Sequence, residues 1–133
     1  MLYAMFLLSV LTIGIGLLAV RERFSGVKHG LVQVSYFKLM QGADVPESII
    51  KSTRCFNNMF EVPVIFYVVG TLYIVTGVES LAGTVLAWLF VGLRLAQAYI
   101  HLTSNHIRQR MYLFGSGALC VLLLWINLLI ERV

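Results

Sequence analysis

The sequence predicts an all-α integral membrane protein, a single domain (residues 1–133) built as a bundle of four transmembrane helices. Three observations carry that expectation. Hydrophobic residues make up 59% of the 133 and mean hydropathy is +0.88, beyond the apolar share of an ordinary soluble domain. Four apolar runs, near residues 2–20, 56–76, 81–102 and 111–130, match the ~20 residues that a helix needs to cross a bilayer. Nine of the ten basic residues lie in or beside the first and third connections, an asymmetry that sets topology. The net charge of +4 is therefore not a nucleic-acid footprint, because the basic residues do not gather on one soluble face.

The first run is apolar apart from Ser9 and Thr12. A signal peptide would carry its basic residues ahead of the run and a small-residue cleavage site after it. Here Arg21 and Arg23 follow the run and no A-x-A site appears, so the segment reads as a retained helix. Gly14 and Gly16 near its centre suit close helix approach. Residues 21–47 read as a polar connector.

The second helix is expected to start near residue 46. Asp44 or Val45 precedes it, Pro46 falls in its first turn, and Glu47 faces the positive N-terminal end. It would run to Thr76, about 30 residues or about 45 Å, with its first third outside the hydrocarbon. Pro63 removes a backbone hydrogen bond and predicts a kink just after Glu61.

Residues 76–80 form a tight turn. The third run is apolar until Arg94, after which Arg94, Gln97 and His101 recur at i, i+3 and i+7 on one face. Residues 103–106 connect to Arg108, Arg110 and Tyr112. The fourth run then contains Gly115, Ser116, Gly117 and Asn127. Cys55 and Cys120 show no metal or redox spacing and read as free thiols.

Basic first and third connections place those loops in the cytoplasm, with both termini and the second loop outside. Arg54, Asn57, Asn58, Glu61, Arg94, Gln97, His101, Arg108, Arg110 and Tyr112 then converge at the cytoplasmic end. On one continuous helix Arg54, Asn58 and Glu61 stand at i, i+4 and i+7 and share a face. Glu61 at the mouth of a span costs several kcal/mol or is protonated unless a cation partners it. Several arginines with one carboxylate suit a small zwitterion with excess negative charge. Guanidinium forks hold carboxylates, and the acid receives an ammonium. An arginine beside a thiol raises its thiolate fraction.

Plainer roles compete. Arg21, Arg23, Lys28, Lys38 and Lys51 suit topology and anionic-lipid contact, and Arg108 and Arg110 could do the same. His101 and His106 suit interfacial positions, with no metal spacing around them. Tyr99 and Tyr112 suit an aromatic belt. An interhelical clamp is the plain reading of Arg54, Asn58 and Glu61.

The series Arg54, Asn58, Glu61 and Pro63 opening the second span resembles the MAPEG family, the membrane-associated proteins in eicosanoid and glutathione metabolism. The four spans, the basic first loop, and Arg94 followed by Arg110 support the likeness, which covers nearly the whole chain. The resemblance implies a left-handed four-helix bundle assembled as a homotrimer in the membrane. It implies glutathione as co-substrate, held between subunits toward the cytoplasm by Arg54, Asn58, Glu61 and Arg94; Gln97 and His101, on the face they share with Arg94, are expected to line the same site. Arg110 matches the arginine that stabilises the glutathione thiolate. Three positions depart from the eicosanoid-pathway members: His101 and Phe114 stand where tyrosines occur, and Met111 where a prostaglandin-synthesising member has serine. The chain is similar instead to generic members of the bacterial inner membrane.

The expected function is a glutathione-transferase-like addition of a thiolate to a lipophilic electrophile that arrives from the bilayer. The alternative is a non-catalytic trimeric scaffold or lipid- or ligand-binding protein of the same fold. A small transporter fits less well, because the charges lie at one end of the spans and not at the midplane.

Overall fold

Six helices and no strand form in residues 1–40 and 44–132, the parts of the chain that the computed structural model describes. The first, α1 (Leu2–Lys28), continues eight residues past the apolar run, so the expected connector begins later than residue 21. Arg21, Glu22 and Arg23 are good helix formers and extend the helix. It ends where His29, Gly30 and Leu31 return their N–H groups to Ser25, Val27 and Gly26. Gly30 there adopts φ +68°, which glycine reaches without a Cβ penalty. A single turn, α2 (Tyr36–Leu39), follows.

The second span is two helices rather than one. Its first part, α3 (Glu47–Asn58), has Pro46 as N-cap, one position ahead of the expected first turn. Its second part, α4 (Val62–Val75), carries Pro63 in its first turn. Pro63 lacks the N–H that would bond Met59, and its ring crowds that carbonyl. The helix therefore stops before the proline, and Glu61 sits in the break with φ −92° and ψ −104°. The kink expected after Glu61 is a break at residues 59–61.

Next comes α5 (Leu81–Leu102), capped by the Ser80 hydroxyl, which accepts from the Gly83 N–H at 3.2 Å. The last helix, α6 (Ile107–Arg132), begins four residues before the expected Met111. Between them Asn105 holds φ +52°, a left-handed conformation that asparagine tolerates, and its N–H closes on the Ile100 carbonyl at 2.7 Å.

Four helical stretches are long and apolar enough to cross a membrane: Leu2–Lys28, Glu47–Val75, Leu81–Leu102 and Ile107–Arg132. The bundle core is apolar, centred on Leu8, Phe66, Val69, Phe90, Val91, Val121 and Leu124. Gly16 lets α1 approach Phe56, whose ring would meet an added Cβ at 2.9 Å, while Gly14 has nothing within 4 Å. Outward-facing Phe6, Ile13, Leu17, Val75, Leu81 and Leu129 are exposed on the single chain. Such an apolar surface would aggregate in water and suits hydrocarbon. The chain alternates direction, so the start of α3, the end of α5 and the start of α6 meet at one end. Loop two lies at the other.

Candidate functional site

At the end bearing loops one and three, α3, the 59–61 break, α5 and α6 each supply polar side chains. The innermost is Arg94, which is fully buried. Its Nη1 donates to Gln97 Oε1 at 2.7 Å, one helical turn along α5. Its guanidinium lies between two rings, 5.1 Å from the Phe90 centroid and 5.3 Å from that of Phe114, in the arrangement of a cation over π faces. The remaining Nε and Nη2 have no hydrogen-bond partner among the described residues. They lie along Gly117, where a Cβ would stand 3.5 Å from Nη2.

Nearer the loops, His101 is buried beside α3. Asn58 Nδ2, which only donates, lies 3.4 Å from His101 Nδ1. The other ring nitrogen, Nε2, is buried without a partner among the described residues. The charges of Arg110, Arg54 and Lys51 all reach this imidazole. Asn58 keeps its carbonyl oxygen free as an acceptor.

Arg110 lies in the first turn of α6. Its Nη1 donates to Asn105 Oδ1 at 2.7 Å, so the left-handed residue of loop three fixes the guanidinium. Its Nε is buried with no partner among the described residues. Cys55, itself buried, is within electrostatic reach of Arg110. Arg108, two residues earlier, is exposed.

The spacing argument for Arg54, Asn58 and Glu61 needs correction. Arg54 and Asn58 share α3, but the helix ends at Asn58 and Glu61 stands in the break, off that register. Both Arg54 and Glu61 are exposed. The guanidinium partner expected for Glu61 is not within the chain, since among the described residues the one ion pair is Lys51–Glu47 at 2.9 Å. Conversely, Arg94, Gln97 and His101, expected to contact a ligand, are sealed inside the single chain. The third-helix face predicted from their spacing is real and points inward.

Asn105 escaped the sequence reading. The signal was present: an asparagine just past a helix end is a common left-handed terminator, here with an arginine five residues on. The free thiols are as expected, both buried.

Among the described residues Arg54 and Glu61 are thus exposed and without an ion-pair partner, while Arg110, fixed by Asn105, keeps a spare donor. That arrangement can bind a zwitterion with an anionic group near Arg110. The family model described as MAPEG family matches residues 1–130. No curated protein and no solved structure matches the chain.

Proposed function

Since the chain belongs to the MAPEG family, we propose that it is a membrane-embedded, glutathione-transferase-like enzyme, assembled as a homotrimer, that adds a thiolate to lipophilic electrophiles. The observation that carries this is Arg110. Its guanidinium is clamped by Asn105 yet keeps a buried Nε without a partner among the described residues, a donor suited to an anion that the single chain does not hold.

Glutathione has two carboxylates, one ammonium and two peptide groups, and the outward groups offer partners for one carboxylate, the ammonium and a peptide N–H. Arg54 takes a carboxylate as a charge-assisted pair. Glu61 takes the ammonium, and the free Asn58 oxygen takes a peptide N–H. Arg110 stabilises the thiolate. Arg94, Gln97 and His101 support this layer from inside the bundle: His101 holds Asn58, and Gln97 holds the Arg94 guanidinium. With the thiolate held, attack on an electrophile arriving from the bilayer gains from proximity and from the raised thiolate fraction. The sulfur forms the new bond; in a substitution the leaving group departs with the electron pair of the bond broken, and in a conjugate addition the resulting carbanion is protonated within the thioether product. By the placement of basic residues, loops one and three face the cytoplasm and both termini face outside, as in a bacterial inner membrane.

A second reading is a ligand-binding member without catalysis. Met111 supplies no hydroxyl beside Arg110, and Phe114 is committed to the Arg94 guanidinium.

Ultraviolet absorbance of the bound thiolate against pH tests the reading. Arg110→Ala should raise the bound thiol's pKa by roughly one to two units, the equivalent of about 1.5–3 kcal/mol for a charge-assisted contact. Glu61→Gln should weaken glutathione binding and leave that pKa unchanged. Exposed Arg108→Ala should change neither. Absence of a thiolate signal in the wild type, with glutathione bound in calorimetry, would favour the non-catalytic reading.

A further inference from the structure

The proposed reaction makes no use of the first loop, yet this loop builds a cleft of its own. Val20, Phe24 and Val27 stand at i, i+4 and i+7 on α1 and share a face. The chain folds back so that Val34 and Phe37 stand opposite them. With Arg23 these residues line an open cleft of about 330 Å³, at the lower end of the roughly 300–1,000 Å³ typical of ligand sites. Arg23 is its one polar wall. The Arg23 guanidinium stacks 5.9 Å from the Phe37 centroid and its Nη2 donates to Thr53 Oγ1 at 3.2 Å. Its Nε is buried with no partner among the described residues.

The surroundings name the occupant. The apolar run of the first span ends at Val20, so the cleft straddles the boundary between hydrocarbon and headgroups. Phe24, Leu31, Val34 and Leu39 around it are exposed, Phe24 at 74% and Leu39 at 75%, which suits an interfacial layer and not water. Arg21, Arg23, Lys28 and Lys38 lie in the same stretch, against the single acid Glu22. Apolar walls beside one arginine, in a stretch rich in basic residues, complement a molecule with a hydrocarbon tail and an anionic head.

We propose that this cleft binds one anionic phospholipid, an acyl chain lying against Val20, Val27, Val34 and Phe37 with the phosphate beside Arg23. The site is separate from Arg110 and stands or falls independently of the transferase reading.

Native mass spectrometry of the full chain in mild detergent tests it, with dioleoyl phosphatidylglycerol and dioleoyl phosphatidylcholine as probes. The wild type should retain phosphatidylglycerol preferentially. Arg23→Gln should reduce that preference about fivefold, the value of one basic residue at an anionic surface, and Arg23→Lys should keep it. Phe37→Ser should loosen both lipids alike. Thr53→Ala removes the arginine's hydrogen bond but not its charge, and should retain the preference. Equal retention of the two lipids by the wild type would overturn the proposal. So would loss of preference in Thr53→Ala to the extent seen in Arg23→Gln, unaltered binding in Phe37→Ser, or displacement of the lipid by millimolar inorganic phosphate.

Discussion

The two ends of the bundle treat their polar groups in opposite ways. At the loop-two end, the buried Tyr73 hydroxyl lies 2.7 Å from Asn127 Oδ1 and 3.1 Å from the Leu124 carbonyl. Ser80 caps α5, and the Thr76 hydroxyl returns to Leu72 O at 2.7 Å. These groups find their partners within the chain. At the other end, Arg94, His101 and Arg110 each keep a buried nitrogen without one among the described residues, and Arg54 and Glu61 stand exposed. A membrane helix tolerates a buried polar group only when something satisfies it. The first end is therefore a clamp that the chain completes alone. The second leaves donors open among the described residues, and in the proposed reading Arg110, Arg54 and Glu61 are completed by a ligand or another copy.

That contrast predicts which changes alter activity and which alter stability. The largest effect belongs to Arg110→Ala, which should lower thiol-conjugating turnover about ten- to a hundredfold, from the loss of one charge-assisted contact. Its melting temperature in mild detergent should stay close to wild type. A large fall in melting temperature at unchanged turnover would place Arg110 with the clamp and break the comparison.

Gly83→Ala should do the reverse. An added Cβ would meet the Tyr73 ring at 2.9–3.0 Å and its hydroxyl oxygen at 3.0 Å. Shifting a packed ring costs about 1–3 kcal/mol, read as reduced thermal stability with conjugation unaffected. Since the same clash displaces the Tyr73 hydroxyl, combining it with Tyr73→Phe should cost less than the sum of the two. Full additivity would mean that the hydroxyl carries no clamp.

Asn105→Ala sharpens the contrast within the charged end. It frees Arg110 without removing it, so turnover should fall only about three- to tenfold, the worth of one ordinary hydrogen bond. Glutathione affinity by calorimetry should hardly change. A loss as deep as that of Arg110→Ala would show that Asn105 itself touches the thiol.

The smallest effect is expected midway between the ends. Ser9 Oγ lies 3.1 Å from the Tyr67 hydroxyl and donates to its own helix at Met5. Side-chain hydrogen bonds between membrane helices are worth about 0.6 kcal/mol on average, so Ser9→Ala should barely move the melting temperature.

Much of the fold was legible because hydropathy is a one-dimensional signal. Span number and the order of polar segments follow from run lengths alone, and Pro63 announced an interruption of the second span. That Arg94, Gln97 and His101 share one face followed from helical spacing; that the face points inward did not. What went astray had a common cause. A helix period applied across Pro63 put Glu61 in register with Arg54, but the proline ends that register four residues early by removing the N–H due to Met59. The cost of burying a charge predicts that Arg94 faces a ligand. Arg94 instead lies between Phe90 and Phe114, rings 24 residues apart in sequence that only the packing of α5 on α6 brings together.

Composition and periodicity, then, determine that this chain is a four-span helical membrane protein with its charge gathered at one end, since both properties are sums over neighbouring residues. Which of those charges are sealed and which are offered is decided by tertiary packing. Asn127 reaching Tyr73, Phe114 meeting Arg94 and Phe37 closing over Arg23 are contacts between segments whose separation along the chain carries no periodic signal, and each exists only once those segments are docked.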